Sequence, residues 1–145
     1  AIVAASIYAT LKLTGNPRPL PVMAQYTRCG QKEIGRTFRI MKRELGLKIR
    51  PTQPEDYVQL FASELQIKPE VSQKVHSIIQ QVKEKEFDNG RAPAAIAAAA
   101  IYIACLVKEQ RRTQSEIAAA CGITEVTIRG CYKEMMKLLE IELGS

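Results

Sequence analysis

The stretch Ala1-Ile2-Val3-Ala4-Ala5-Ser6-Ile7-Tyr8 returns 94 positions later as Ala95-Ile96-Ala97-Ala98-Ala99-Ala100-Ile101-Tyr102. No gap is needed beyond it: Met23 falls on Ile117, Ala24 on Ala118, Ile34 on Ile128, Phe38 on Tyr132, Met41 on Met135 and Leu45 on Leu139. Self-similarity at a fixed offset constrains a chain strongly, because two units with one packing plan must share one order of elements. The second unit holds the whole plan, whereas the first opens in the middle of it, with no counterpart of residues 54–92 ahead of Ala1. The expectation is a duplicated module cut unevenly, a fragment of a longer protein. Residues 1–46 form the C-terminal half of a first repeat, 47–53 a linker and 54–145 a complete second repeat. Apolar faces within residues 1–46 then need cover from further sequence or from another chain.

Within the complete unit every segment prefers helix. Pro54-Glu55-Asp56 opens one, with proline and acids where a helix N-terminus favours them, and Tyr57, Leu60, Phe61 and Leu65 form its apolar face. Pro69-Glu70 opens the next, with Val71, Val75, Ile78, Ile79 and Val82 at helical spacing and a stop expected at Asn89-Gly90. After Pro93 the alanine-rich run to Val107 is apolar on all sides, as a central buried helix must be, and its small side chains permit close approach by its neighbours. Gln114 to Cys121 is a short helix, and a last one runs from Thr124 to about Leu139. No segment alternates with period two for more than a few residues, so the fold class is all-α, about five helices per full repeat around a core helix.

Residues 113–139 then form a helix-turn-helix. Ala118 is small where the two helices touch, Gly122 can take the positive φ of the turn, Ile128 anchors the second helix, and Thr124 is placed to cap it. With Ile128, Tyr132, Met135 and Leu139 inward, the opposite face presents Glu125, Val126, Arg129, Lys133 and Lys137, with Thr124 and Thr127 beside the helix start. That start is the part of a recognition helix that approaches base edges. Arg129 could hold guanine O6 and N7 or a phosphate, Val126 could touch a thymine methyl, and Lys133 and Lys137 suit phosphates. The same geometry also serves as a plain packing corner with a solvated face.

Charge adds a second candidate surface. The first 50 residues hold ten Lys and Arg against two Glu, within a chain of formal net charge +6. Such a basic third suits an acidic partner, nucleic acid or protein, although charge also serves solubility. Its last helix, Gly30 to Leu45, places Ile34, Phe38, Met41 and Leu45 inside and lines Lys32, Arg36, Arg39 and Arg43 along the outside, with Arg28 extending the row. Arg28 stands where the second unit has Gly122, so the two turns should differ. Gly90 and Arg91, in the loop before the alanine-rich helix, could hold a phosphate with the free N–H groups of that helix start, or be turn residues only.

Other chemistry finds no support. Cys29, Cys105, Cys121 and Cys131 match neither a C-x-x-C pair nor a zinc-finger spacing, and read as reduced, mostly buried small apolar residues. His76 is the single histidine, and no nucleophile–base set or phosphate-cradling glycine loop is present, so no catalytic residue, cofactor or metal is expected. No apolar run reaches the roughly 18 residues of a spanning helix, and no secretory signal opens the chain.

Three segments together, KEIGRTFRIMKREL at 32–45, NGRAPAAIAAAAIYIA at 89–104 and RRTQSEIAAACGITEVTIRGCYKE at 111–134, resemble the core domain of the transcription factor IIB family, eukaryotic and archaeal. The likeness covers nearly the whole chain. It implies cyclin-like helical repeats that bind the complex of TATA-binding protein with promoter DNA, contact DNA flanking the TATA box and help recruit RNA polymerase. No small-molecule substrate or membrane partner is implied. In that family the second repeat's helix-turn-helix reads an upstream promoter element, and Val126 and Arg129 fall on its base-reading positions. The first repeat's basic helix corresponds to surface used toward TATA-binding protein and downstream DNA. The family's zinc ribbon and polymerase-penetrating linker have no counterpart in these residues, so zinc binding and start-site functions are not carried over. The implied compartment is the nucleus for a eukaryotic source and the cytoplasm for an archaeal one. A polymerase III relative of the same family and a kinase-regulating cyclin are the alternatives.

Overall fold

A computed structural model of the chain describes residues 1–143, so residues 144 and 145 of the expected second repeat lie outside the described residues. The chain forms two compact units, Ala1–Thr52 and Gln53–Ser145. The first holds α1 (Ile2–Leu13), α2 (Leu20–Gln25) and α3 (Gln31–Leu45). The second holds α4 (Pro54–Glu64), α5 (Pro69–Glu84), α6 (Pro93–Val107), α7 (Gln114–Cys121) and α8 (Glu125–Leu143). Among the described residues there is no strand. Proline opens α4, α5 and α6, where its missing N–H costs nothing and its φ is already helical. A capping box reinforces α4: the Gln53 N–H donates to Asp56 Oδ2 at 2.8 Å.

The core of the second unit surrounds α6. Ile96 to Ile101 are wholly buried, and α4, α5, α7 and α8 all pack against that helix. Alanine over most of this surface lets helix axes close in, while Ile96, Ile101 and Ile103 fill the space between them with Phe61, Ile79, Ile117, Ile128 and Met135. In the first unit α1 and α2 pack on α3 around Ala5, Tyr8, Ile34 and Phe38.

The 94-residue offset is kept in three dimensions. Leu20 and Gln114 begin α2 and α7, and Gln31 and Glu125 begin α3 and α8. One ring pair recurs edge-on, Tyr8–Phe38 at 4.9 Å and Tyr102–Tyr132 at 4.8 Å between centroids. Burial differs, however. Ile2 and Ile7 are 70% and 48% exposed on α1, whereas Ile96 and Ile101 are at 0%, because α4 and α5 pack on α6 and the first unit has no helix in their place among the described residues.

Three boundaries or orientations depart from the periodicity. The α5 helix ends at Glu84 rather than at Asn89-Gly90. Continuing the helix would carry Glu86 onto the buried stripe one turn after Val82, so the chain turns there at φ +58° and Phe87 enters the core instead. Leu45 is not inside but 65% exposed. Its counterpart Leu139 borders a hollow shared with Lys74 and Ile78 of α5, a helix the first unit lacks among the described residues. The last helix also outruns its expected end at Leu139. Gly46 stops α3 in the left-handed region at φ +61°, whereas Glu140 holds that place in α8 and the helix goes on to Leu143.

Enlarging one buried alanine of α6 should force its neighbours apart. Ala98→Leu is expected to destabilise the second unit by about 1–3 kcal/mol in denaturant unfolding. Unchanged stability would contradict the close approach.

Candidate nucleic-acid interface

Local rules set the helix-turn-helix of the second unit. The Thr113 hydroxyl caps α7 by accepting the Glu116 N–H at 3.0 Å. Gly122 ends that helix at φ +69°, and its N–H donates to Ala118 O at 3.0 Å. Two residues later Thr124 Oγ1 accepts the Thr127 N–H at 3.2 Å and lies 2.9 Å from Thr127 Oγ1, starting α8. The buried side chains Ile128, Cys131 and Met135 then turn one face of α8 inward.

The outward face carries the residues singled out from the sequence. Thr124, Glu125, Val126, Thr127, Arg129, Lys133 and Lys137 are all exposed, Val126 at 73%. An apolar side chain in open water at a helix start has nothing to pack against within its own unit. The Arg129 guanidinium is 3.9 Å from the Glu125 carboxylate one turn earlier, an exposed pair of the kind worth only a few tenths of a kcal/mol. It can therefore leave that partner for a stronger acceptor.

Arg91 is placed differently from the solvent-facing cations. Its guanidinium stacks on the Phe87 ring at 4.0 Å, donates to Phe87 O at 3.1 Å and pairs with Glu134 of α8. The loop before α6, including Gly90 at φ +75°, is thereby tied to the flank of α8. Residues with no functional prominence in the sequence position the motif from its other end. Arg112 Nε donates to Leu65 O at 2.9 Å, Gln110 Nε2 donates to Gln66 O at 3.0 Å, and Gln110 Oε1 accepts the Lys68 N–H at 3.0 Å. These hydrogen bonds stitch the α4–α5 turn to the approach to α7. Their partners lie more than 40 residues apart, so no local pattern marks them.

In the first unit α3 lines Lys32, Arg36, Arg39 and Arg43 on solvent, within a stripe of roughly 60° on helical geometry. Lys32, Arg36 and Arg39 border an open groove of about 550 Å³ with Leu20, Gln31 and Gly35. Arg43 Nε is 3.5 Å from Glu44, a pair with both side chains at least two-thirds exposed, and Arg28 is exposed in the turn before the helix. That turn differs from its counterpart, running through five residues after Gln25 without a left-handed glycine. At the 94-residue offset the row maps onto Val126, Gly130, Lys133 and Lys137 of α8. Both units thus carry one stripe in the same place. It is cationic throughout in α3, and small and neutral over its first half in α8. Gly130 has no prominence in the sequence on its own; its signal is this spacing.

A family model of the transcription factor TFIIB repeat matches residues 47–138. The chain belongs to the TFIIB family. Relatives named transcription initiation factor IIB include those of Archaeoglobus fulgidus, 47% identical, and Methanosarcina mazei, 48% identical, each aligned over 142 residues and 98% of this chain. That of Methanocaldococcus jannaschii is 49% identical over the same span. This chain covers 44%, 42% and 21% of those three proteins, less than half of each. TFIIB repeats are cyclin-like and all-helical, as found here, and the family is one of transcription factors rather than enzymes.

The side-chain chemistry of this TFIIB-family chain is otherwise quiet. Burial pushes the Cys131 thiol up to about 11 and raises those of Cys105 and Cys121 as well, which keeps them protonated and poor metal ligands. Among the described residues no cluster of His, Cys, Asp and Glu could hold a metal ion.

The turn makes its own demand on residue 122. Gly122→Ala should cost about 1–2 kcal/mol of stability in denaturant unfolding, the penalty of a side chain in the left-handed region. A neutral result would mean that the turn relaxes.

Proposed function

We propose that this chain is the core of a transcription initiation factor that binds the complex of TATA-binding protein with promoter DNA, reads an upstream promoter element through α8 and helps recruit RNA polymerase. On this reading residues 1–46 are the C-terminal half of a first repeat, 47–53 a linker and 54–145 the second repeat. The observation that carries this is the outward face at the start of α8, with Val126 and Arg129 in open solvent, in a chain that belongs to the TFIIB family. Arg129 leaves Glu125 to hold guanine O6 and N7, and Val126 packs on a thymine methyl. The hydroxyls of Thr124 and Thr127 and the ammonium groups of Lys133 and Lys137 bind phosphates and fix the register of α8 in the major groove. Gly90 and Arg91 take a phosphate of the neighbouring backbone through the start of α6, with Arg91 held ready by Glu134.

The row Arg28, Lys32, Arg36, Arg39 and Arg43 faces TATA-binding protein and the DNA downstream. Long cations stand their ligand off and bind phosphate or carboxylate without reading sequence. The relatives named above come from archaea, which supports the cytoplasm as the working compartment. No helix among the described residues is long and apolar enough to cross a membrane.

The test is a fluorescence-anisotropy titration of the chain onto a TATA-box duplex, with and without TATA-binding protein, repeated after swapping the upstream element. Binding that needs TATA-binding protein and responds to the swap is the expected result; binding indifferent to both would overturn the proposal. Arg129→Ala should reduce discrimination for a G·C-containing upstream element by about 1–3 kcal/mol with helicity unchanged by circular dichroism. An equal loss on every sequence would sink base reading. Replacing the row by Arg36→Glu, Arg39→Glu and Arg43→Glu should weaken the ternary complex and flatten its salt dependence, by a slope of about 0.9 for each phosphate no longer neutralised. Unaltered binding would leave the row a solvated face.

A further inference from the structure

Gly130 is out of place by every local rule. It is the sixth residue of the 19-residue α8, where glycine is the poorest choice apart from proline, and its φ is not of the kind that needs glycine. Nor does packing demand it: a Cβ built there meets nothing within 4 Å. Gly35 of α3, the other helix-interior glycine with an ordinary φ, is the contrast, since a Cβ there would lie 3.2 Å from Leu20 Cδ1. The fold itself carries a long side chain at the equivalent place, for Arg36 of α3 occupies it on the exposed face. The glycine therefore serves neither the turn, the core nor the helix.

Its surroundings indicate what it does serve. On helical geometry Val126, Gly130, Lys133 and Lys137 share one stripe of roughly 60°, with Arg129 at its edge. Gly130 is a bare stretch of backbone between an exposed apolar side chain and two exposed cations. A flat ligand that touches Val126 and is flanked by Lys133 meets no side chain between them. On the proposal that α8 faces DNA, we infer that Gly130 is the point of closest approach. The edge of a bound base pair comes into van der Waals contact with the helix backbone there, and the missing Cβ sets the depth at which α8 lies in the groove. Val126 and Arg129 reach base edges only at that depth. In the first unit Arg36 forbids such an approach, so the same stripe serves phosphates at arm's length.

This sets stability and binding in opposition at one residue. Gly130→Ala improves helix propensity in an exposed position and should raise the melting temperature by about 4 °C. The same change should weaken binding of the full chain to the TATA-binding protein complex on a duplex bearing the upstream element by about tenfold, the scale of a single base-specific interaction. Gly130→Arg, the first unit's residue, should fold normally, lose preference for the element and show a steeper salt dependence, because the new guanidinium neutralises one more phosphate. Arg129→Ala, measured alongside, separates the two proposals. If it loses element preference while Gly130→Ala binds within twofold of the unmodified chain, close approach is wrong and groove reading by α8 stands. If neither substitution affects binding, groove reading falls and takes this inference with it. A lowered melting temperature for Gly130→Ala would show that glycine serves the fold, and would equally overturn the inference.

Discussion

The interaction on which the rest of the second unit depends is the approach of four helices to the alanine surface of α6. Alanine gives little hydrophobic area per residue, but it leaves backbones close enough for the large side chains of α4, α5, α7 and α8 to interdigitate around it. Ile128 and Met135 are wholly buried in that cluster, and their burial decides which way α8 faces. Once those two point inward, helical geometry leaves Val126, Gly130, Lys133 and Lys137 no direction but outward. The exposed stripe is thus a consequence of core packing one helix away. The short turn at Gly122 and the cap at Thr124 determine where α8 begins, and so which residues occupy its first turn.

One plan repeated with different side chains gives two surfaces of different character. Cations over the whole stripe of α3 produce a field that attracts any dense negative charge, with long flexible side chains between helix and ligand. In α8 the charge is confined to the later half of the stripe, and the earlier half is small. Contacts that distinguish bases require short, fixed distances, whereas contacts to phosphates do not. One repeated scaffold thus carries two surfaces that differ at a few exposed positions. The opposed placement of glycine and arginine, Gly35–Arg36 against Arg129–Gly130, is the most compact instance. Gly35 answers to Leu20 at the edge of the core, and a Cβ at Gly130 would meet nothing within 4 Å.

Much of the helical architecture could be read directly from residue order. Val71, Val75, Ile78, Ile79 and Val82 recur at a spacing that only a helix can bury together, and all five are buried. Proline at 54, 69 and 93 marks helix starts by its own φ, and Thr124 marks one by its hydroxyl. The end of α5 was less legible, because Asn89-Gly90 is a strong turn signal and the competing event, Phe87 entering the core, is a matter of packing. Leu45 matched the apolar pattern of α3, but burial needs a neighbour as well as a period. The candidate interface divides in the same way. Val126 and Arg129 were legible from their place after a turn glycine, whereas the engagement of Arg91 with Glu134 and the stitching by Gln110 and Arg112 were not.

Residue order by itself determined the helical class, the repeat at 94 residues, the helix-turn-helix and the basic row on α3. The repeat is a property of residue order itself, and the other three rest on interactions within a few turns of helix, where propensity and periodicity act without reference to the rest of the chain. Tertiary structure alone decided where α5 stops, which leucine stays in water, which arginine is tied down and which glycine is free of the fold. Each of those depends on a partner from a distant part of the chain, or on the lack of one, and a separation in sequence carries no information about distance until the core has closed.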